Sequence, residues 1–334
     1  MGGAGEACGK VILLGEHAVV YGVPAIAAGI ARGARARSAP LPHQQHEEGR
    51  ATRDGDGFAA ASRLRVVGWN VSVNETEQGN DIARAFASLL AAVRVDEPSL
   101  PPVTVEVEAE LPPGGGLGCS AAMGVAIARA VGRRPGEEAV QARAMAWEQV
   151  FHGNPSGIDA AVAARGGCVF FRKGEPLEAV RVRGPLHLCI GSTGTASSTK
   201  AMVDSVARLR ARRPEIVDKS FEAIRSLVSN ARLAIEAGDR VALGRLMDLN
   251  QMVLSGLFVS TPDVERLCEL ARASGALGAK LTGAGGGGSV VALVPSVQVG
   301  DAVIAAWKAD GFDGFATVVA PELRPQPRES ETAP

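Results

Sequence analysis

The sequence lacks the features that would assign it to a membrane, secreted or nucleic-acid-binding protein. No apolar run approaches the roughly 18 residues that a membrane-spanning helix needs. The first ten residues, MGGAGEACGK, contain no apolar stretch like that of a secretory signal. The formal net charge is only -1, so no overall field attracts nucleic acid or anionic lipid. We therefore expect a cytoplasmic protein without a membrane or nucleic-acid partner.

Paired cysteines are missing as well. The five cysteines are odd in number and far apart, and none forms a CxxC pair, so neither a zinc site nor a disulfide framework is indicated. We expect reduced thiols that pack as small hydrophobic side chains. What remains is an ordinary globular composition, with 334 residues, 46% hydrophobic and 21% charged. This length suggests two domains or one large one.

The order of the predicted elements indicates an α+β protein with two layers. Val103–Glu110 (VTVEVEAE) alternates strictly and predicts a half-buried strand, and helical patterns follow at about 120–131 and 137–151. Consecutive helical patterns between residues 199 and 274 then precede two strands, a helix and a last strand. This mixed order of strands and helices favours an α+β architecture.

We place a domain boundary near residue 178. The prediction is an N-terminal domain at 1–178, a C-terminal domain at 179–322 and a disordered tail at 323–334. Residues 38–57 (SAPLPHQQHEEGRATRDGDG) and the segment from Pro321 combine proline and charge with few apolar anchors, so both are expected to be poorly ordered.

The segment Pro112–Ala122 (PPGGGLGCSAA) joins a predicted strand to a helix and has the composition of a phosphate-binding turn. Glycines let the backbone adopt positive φ and approach a ligand closely. The free N–H groups of the first helical turn then favour an anion. Ser120 stands where its hydroxyl can bind magnesium or a phosphate oxygen. We prefer the interpretation as a triphosphate loop.

Two other interpretations of this turn stay open. It is compatible with a plain tight turn that ends in a capping serine. Gly116–Ala121 also fits GxGxxA, the loose dinucleotide fingerprint, although another helix is predicted next, where a βαβ unit needs a strand. A Walker A loop is excluded, because the chain contains no GxxxxGK[ST] sequence.

Two acidic residues flank a second turn. Glu148 lies near the end of a predicted helix, the turn HGNPSG follows, and Asp159 comes after it between apolar residues. Phosphoryl transfer needs a metal ligand and a group that accepts the proton of the acceptor hydroxyl, and these two carboxylates suit the two roles. The alternative is that Asp159 caps the next helix and Glu148 lies on a solvated face.

The N-terminal strand and a second glycine cluster complete the set of candidate segments. GKVILLGEHAVVYG places Lys10 at the start of an apolar strand and Glu16 and His17 in the turn after it. A lysine that enters a buried strand can reach a phosphate, but a solvated strand end is the simpler alternative. In KLTGAGGGGSVV, four consecutive glycines between two strands are conformationally costly. Close approach to another loop or to substrate would explain them.

Together these segments resemble the superfamily of galactokinase, homoserine kinase, mevalonate kinase and phosphomevalonate kinase, the GHMP kinases. GKVILLGEHAVVYG, PPGGGLGCSAA and KLTGAGGGG stand in the order of its three motifs. The middle motif departs from the usual GLGSSAA, because Cys119 replaces the first serine. GEHAVVYG and HGNPSGID are most similar to the mevalonate kinase branch. The resemblance implies an N-terminal domain like domain 2 of ribosomal protein S5 and a ferredoxin-like C-terminal domain.

The resemblance also implies roles for individual residues. ATP and Mg²⁺ are the expected cofactors, and mevalonate is the expected substrate, in isoprenoid biosynthesis. Asp159 would be the catalytic base and Lys10 its electrostatic partner, while Ser120 and Glu148 would hold magnesium. The implied nucleotide loop consists of Pro112, Gly114, Gly115, Gly116, Leu117, Gly118, Cys119, Ser120 and Ala121. The implied substrate residues are Glu16, His17, Thr199, Lys200, Gly283 and Ala284. Ser197 stands where the family often has an arginine, and Lys200 is the candidate replacement for its charge.

Other functions remain open at this point. The same fold would serve a kinase for homoserine, galactose or phosphomevalonate, or a diphosphomevalonate decarboxylase. A non-catalytic sensor with this fold and a nicotinamide-dependent oxidoreductase that uses the GxGxxA match are the alternatives from other classes. The alanine-rich helices are compatible with a homodimer, but no sequence feature identifies its face.

Overall fold

A computed structural model describes residues 2–41, 61–112, 114–133, 135–152, 157–195 and 198–319 of the chain. The strands are β1 (Ala4–Leu14), β2 (Ala25–Pro40), β3 (Arg63–Val67), β4 (Val71–Asn74), β5 (Val103–Ala109), β6 (Cys168–Phe171), β7 (Glu178–Val180), β8 (His187–Ser192), β9 (Gly278–Thr282), β10 (Ser289–Val294) and β11 (Asp313–Val318). The helices are α1 (Asp81–Asp96), α2 (Cys119–Ala130), α3 (Glu137–His152), α4 (Ile158–Arg165), α5 (Thr199–Arg212), α6 (Pro214–Ala237), α7 (Arg240–Gly256), α8 (Pro262–Ala273) and α9 (Val297–Ala309).

The chain forms two compact units, each assembled from separated stretches. Unit 1 comprises Met1–Ala7, Ala34–Glu110 and Ser120–Ala160. Unit 2 comprises Cys8–Gly33, Leu111–Cys119 and Ala161–Pro334. The predicted boundary near residue 178 lies within unit 2 and stays a prediction.

Unit 1 contains a mixed sheet with helices packed beside it. β4 pairs antiparallel with β3, β3 pairs parallel with β5, and β5 pairs antiparallel with the second half of β2, Ala34–Pro40. Along β5 the valines are buried while the residues between them are more accessible, as the strict alternation predicts. Asn80 begins α1 by accepting hydrogen bonds from the N–H groups of Ile82 and Ala83, which an N-terminal cap requires.

Unit 2 contains an antiparallel four-stranded sheet in the order β11-β8-β10-β9. The chain order within it is strand, helices, two strands, helix, strand, which is the β-α-β-β-α-β arrangement of ferredoxin-like domains. β9 and β10 are buried along their whole length, because α7 and α8 cover β9. The first half of β2 pairs with β6 in this unit, and β6 pairs with β7.

The structure confirms the α+β class and most of the predicted elements, and it corrects one prediction. Ser38–Pro40 fall in the segment predicted to be poorly ordered, yet they pair with Val103–Val105 in the sheet. The rest of that segment, from residue 42, and the tail 323–334 lie outside the described residues. The elements α1, β3, β4 and β7 have no counterpart in the sequence prediction, and α4 was expected only in the alternative that Asp159 caps a helix.

Cysteine packing agrees with the sequence prediction. All five cysteines are described and buried, and none takes part in a disulfide. Burial raises the pKa of Cys168 and Cys268 to about 12, which keeps both thiols protonated at neutral pH. None of the described helices is long and apolar enough to cross a membrane.

Helix α7 lies against β9 with glycine backbones in contact. A Cβ added at Gly244 would clash with the backbone carbonyl of Leu277, and a Cβ added at Gly278 would clash with the carbonyl of Gly244. The two elements therefore approach more closely than any larger residue allows, which fixes α7 on the sheet.

We expect Gly244→Ala to destabilise the protein by about 1–3 kcal/mol, because the added methyl group forces α7 away from β9. Gly256→Ala is the matched control in the same helix, since a Cβ there meets nothing within 4 Å. It should change the free energy of unfolding by no more than about 1 kcal/mol, in the stabilising direction. Urea denaturation measures both variants, and equal effects would contradict the close-contact interpretation.

Candidate active site

The predicted magnesium residues Ser120 and Glu148 lie together in unit 1. Ser120 is in the first turn of α2, and its hydroxyl donates a hydrogen bond of 2.5 Å to Oε1 of Glu148 on α3. The Glu148 side chain is buried, and so the alternative that it lies on a solvated face is wrong. The indole N–H of Trp147, the residue before Glu148, donates to the same hydroxyl over 3.1 Å. This arrangement places two oxygen donors side by side at the amino end of α2.

The predicted base Asp159 belongs to the first turn of α4 in unit 1. The helix dipole favours an acidic side chain in the first turn of a helix, so an aspartate at position 159 also stabilises α4. The turn that precedes it, Gly153–Ser156, lies outside the described residues.

The glycine turn of unit 2 alternates the sign of its backbone φ angle. Gly114, Gly116 and Gly118 have φ of 72°, 73° and 72°, while Gly115 and Leu117 between them are outside the positive-φ set. Alternating φ signs turn successive N–H groups toward one side, which forms an anion-binding concavity. Three left-handed positions explain why glycine recurs at every second residue.

The predicted residue Lys10 lies against this turn. Its backbone N–H donates to the carbonyl of Leu117 over 2.8 Å, and a Cβ added at Gly118 would lie 2.9 Å from its Cγ. The residue is buried, which contradicts the alternative of a solvated strand end. Unit 2 therefore brings a lysine to the backbone groups that the sequence predicts for the phosphates.

The second glycine cluster packs on the first. A Cβ added at Gly283 would lie 3.5 Å from Cα of Gly116, and the hydroxyl of Ser289 donates to the carbonyl of Gly115 over 2.8 Å. Two further contacts involve loops of unit 2. The N–H of Gly286 donates to the backbone carbonyl of Val259 over 2.7 Å, and the N–H of Gly288 donates to the backbone carbonyl of Thr195 over 2.9 Å. Close approach to other loops, one of the two explanations offered for the four glycines, is thus confirmed.

Glu16 forms a fully buried ion pair with Lys280 from β9. Lys280 also donates to the carbonyl of Leu281, and Asn250 on α7 donates to the Glu16 carboxylate over 3.3 Å. Burial raises the pKa of the Glu16 carboxyl and lowers the pKa of the Lys280 ammonium, while their mutual attraction opposes both shifts. The turn that carries Glu16 is thereby attached to the sheet of unit 2.

His17 connects this turn to the second glycine cluster. Its Nε2 lies 2.8 Å from the carbonyl oxygen of Ala284, so two of the predicted substrate residues contact each other. Burial lowers the pKa of His17, which favours the neutral ring that donates its Nε2–H to this carbonyl. The residue has a positive φ of 61°, unusual for a side chain other than glycine.

Thr199 and Lys200 begin α5 and are exposed in unit 2. Ser198 caps this helix through a hydrogen bond from the N–H of Ala201. Ser197, the position of the family's arginine, lies outside the described residues.

Two side chains of this site, Lys280 and Trp147, have no role in the sequence prediction. Lys280 had a usable signal, because it is a lysine inside an apolar strand that precedes a glycine cluster. Trp147 had none, because its hydrogen bond to Ser120 depends on how α2 packs against α3, which local sequence does not reveal.

Comparison with known proteins identifies the family. The profile described as GHMP kinases N terminal domain matches residues 80–167, and that described as GHMP kinases C terminal matches residues 231–313. A mevalonate kinase of Thermococcus sibiricus is 36% identical over 308 residues, which cover 86% of this chain and 88% of that protein. The chain belongs to the GHMP kinase family. A mevalonate kinase of Arabidopsis thaliana is 29% identical, covering 94% of this chain and 96% of its own.

Solved structures agree with membership of the GHMP kinase family. The crystal structure of L. major mevalonate kinase in complex with R-mevalonate superposes with a TM-score of 0.76 at 28% identity and covers 96% of each chain. A Lactococcus lactis galactokinase, at 16% identity and a TM-score of 0.70, shares the fold.

The family assignment removes the dinucleotide-binding interpretation of GxGxxA. The match at Gly116–Ala121 lies inside the GHMP N-terminal domain, and α2 is followed by α3 rather than by the strand of a βαβ unit. Membership of a kinase family implies ATP as the phosphate donor, and the GxGxxA match no longer supports a nicotinamide cofactor.

We expect Lys280→Met to lower the free energy of unfolding by about 3–5 kcal/mol, because it leaves the Glu16 carboxylate buried without its partner. The double variant Lys280→Met, Glu16→Gln should lose less than the sum of the single variants. Denaturant unfolding of the four proteins gives the coupling energy. The exposed pair Arg210–Asp218 is the control, and its coupling should be much smaller. Coupling of similar size in both cycles would contradict a special role for burial.

Proposed function

We propose that this chain is a mevalonate kinase, which transfers the terminal phosphoryl group of ATP to the C5 hydroxyl of mevalonate and forms 5-phosphomevalonate. The observation that carries the proposal is the relationship to proteins named mevalonate kinase, which extends over most of both chains. The mevalonate route of isoprenoid biosynthesis is the metabolic setting. The cytoplasmic location and the homodimer stay predictions.

The oxygen ligands in unit 1 fit magnesium. Mg²⁺ prefers hard oxygen donors and is commonly held by one or two carboxylates together with substrate phosphates. The Ser120 hydroxyl and the Glu148 carboxylate are such donors, and they contact each other at the start of α2. These two residues would hold the ion, and the ion would supply positive charge that offsets the negative charge of the ATP phosphates.

The remaining roles belong to the chain's own groups. The N–H groups of the glycine turn act as fixed dipoles for the triphosphate and need no reorganisation during the reaction. The Lys10 ammonium, whose side chain begins against that turn, adds charge for the phosphoryl group in transfer. Asp159 accepts the proton of the C5 hydroxyl while the hydroxyl oxygen forms a bond to the γ-phosphorus of ATP. The bond between the γ-phosphorus and the oxygen that bridges it to the β-phosphorus breaks at the same time, which releases ADP.

Release of ADP in the presence of alternative acceptors tests the proposed substrate. With ATP and Mg²⁺, mevalonate should support turnover, whereas homoserine, galactose and phosphomevalonate should not. Diphosphomevalonate is included with carbon dioxide as the readout, which identifies a decarboxylase. A preference for any acceptor other than mevalonate would overturn the substrate assignment while leaving the family intact.

We expect Asp159→Asn to lower kcat at least about 100-fold, because the amide cannot accept the hydroxyl proton. Nucleotide binding, measured as the shift in Tm on adding ADP and Mg²⁺, should be largely retained. Asp301→Asn makes the same chemical change on the exposed surface of α9 and should leave turnover unchanged. Near-normal turnover of Asp159→Asn would remove this residue from the role of base.

A further inference from the structure

The Trp147 side chain contacts Ser120, one of the two predicted magnesium ligands, from the interior of unit 1. It is fully buried, and its indole N–H donates to Oγ of Ser120 over 3.1 Å. The ring of Phe151, one turn later on α3, packs against it with a centroid distance of 5.6 Å and an interplanar angle of 51°. Its position is therefore fixed by packing as well as by the hydrogen bond.

The hydrogen bonds determine where the Ser120 proton lies. An indole nitrogen is only a donor, and an ionised carboxylate is only an acceptor. Since Ser120 lies between Trp147 and Glu148, its hydroxyl accepts from the indole and donates to the carboxylate. One lone pair of Oγ is then engaged by Trp147. The other lone pair of the Ser120 Oγ then points in a fixed direction, so it is available to bind a metal ion without rotation of the hydroxyl.

Helix α2 is shaped to admit the indole. Gly124 lies four residues after Ser120 and so faces the same side of the helix. A Cβ added there would lie 2.7 Å from Cδ1 of Trp147, closer than side chains pack. Glycine inside a helix lowers helix stability relative to alanine. At position 124 this loss accompanies a close approach of the indole ring that a larger residue would prevent.

A second buried tryptophan, Trp307, provides a comparison for the hydrogen-bond acceptor of a buried indole N–H. Trp307 is equally buried, and its indole N–H donates to the backbone carbonyl of Leu267 over 2.8 Å. A carbonyl satisfies the N–H without any effect on a neighbouring side chain. Trp147 instead uses its single donor on the hydroxyl of a predicted metal ligand, which a purely structural tryptophan does not need.

We propose that Trp147 is a positioning residue that orients the Ser120 hydroxyl, and through it the Glu148 carboxylate, toward magnesium bound with the nucleotide. The inference rests on the proposed function, since it assigns a role within the same site. It predicts a selective loss of magnesium affinity when the indole donor is removed or displaced, with little change in metal-free nucleotide binding.

The test compares Trp147→Phe with Trp307→Phe. Both variants shorten a fully buried ring and remove one indole donor, so general destabilisation affects both. Trp147→Phe should raise the Mg²⁺ concentration for half-maximal turnover about 10-fold, the size expected when a partner of a metal ligand is lost. It should also lose most of the Tm increase that Mg²⁺ adds to ADP. Trp307→Phe should retain the magnesium dependence of the unmodified protein in both measurements.

Gly124→Ala provides a second variant that keeps every hydrogen-bonding group of the site. Its methyl group displaces the indole, and it should raise the magnesium requirement in the same direction even if Trp147→Phe fails to fold. Gly256→Ala, which meets open space in α7, is its control. The double variant that lacks Trp69 and Trp307 leaves Trp147 as the single tryptophan. The emission of Trp147 in this variant should change on adding ADP with Mg²⁺ but not on adding ADP alone.

Three results would decide against the proposal. Equal magnesium requirements in Trp147→Phe and Trp307→Phe would overturn it, as would an unchanged requirement in Gly124→Ala, while the proposed function stood. Failure of the unmodified protein to bind ADP with Mg²⁺, or to turn over mevalonate, would instead overturn the proposed function, and this inference with it.

Discussion

Close contact between glycine backbones is the constraint on which the predicted nucleotide loop of unit 2 depends. The turn 114–118 contacts Ser289 and Gly283 from the second glycine cluster and Lys10 from β1. The cluster 285–288 is held in turn by the loops that contain Val259 and Thr195. The N–H groups are therefore oriented before a nucleotide arrives, and little reorganisation remains for binding.

The buried ion pair between Glu16 and Lys280 is a second constraint, and it acts on the turn after β1. Removing an ammonium and a carboxylate from water is expensive, and their attraction offsets this cost only while both are present. The Glu16–Lys280 pair joins residues 264 positions apart in sequence, and it attaches the turn after β1 to β9. His17, next in sequence, reaches the carbonyl of Ala284. Glu16, one of the predicted substrate residues, is thus held by a lysine that does not belong to that prediction.

Local sequence patterns predicted much of this fold, and the physical reasons for the failures are specific. The alternation in β5 and the helical periods of α6 to α8 are strong because each element has one buried face. The prediction that Ser38–Pro40 are poorly ordered was wrong. It was based on their polar, proline-containing composition, whereas pairing with β5 determines their conformation. The glycine turns were recognised from composition, but the contacts between them arise from chain folding. The hydrogen bond between Trp147 and Ser120 belongs to the same class, because it joins two helices whose packing no local pattern specifies.

The alternation of the chain between the two units has a consequence for how the protein can be made and cut. Six stretches alternate between unit 1 and unit 2, so the backbone passes from one to the other five times. Neither unit can be isolated as a single uninterrupted fragment, because each consists of three separated stretches. During synthesis, Glu16 cannot pair with Lys280 until the ribosome has added the 264 positions that separate them. Unit 2 can therefore complete this buried ion pair only after β9 has left the ribosome.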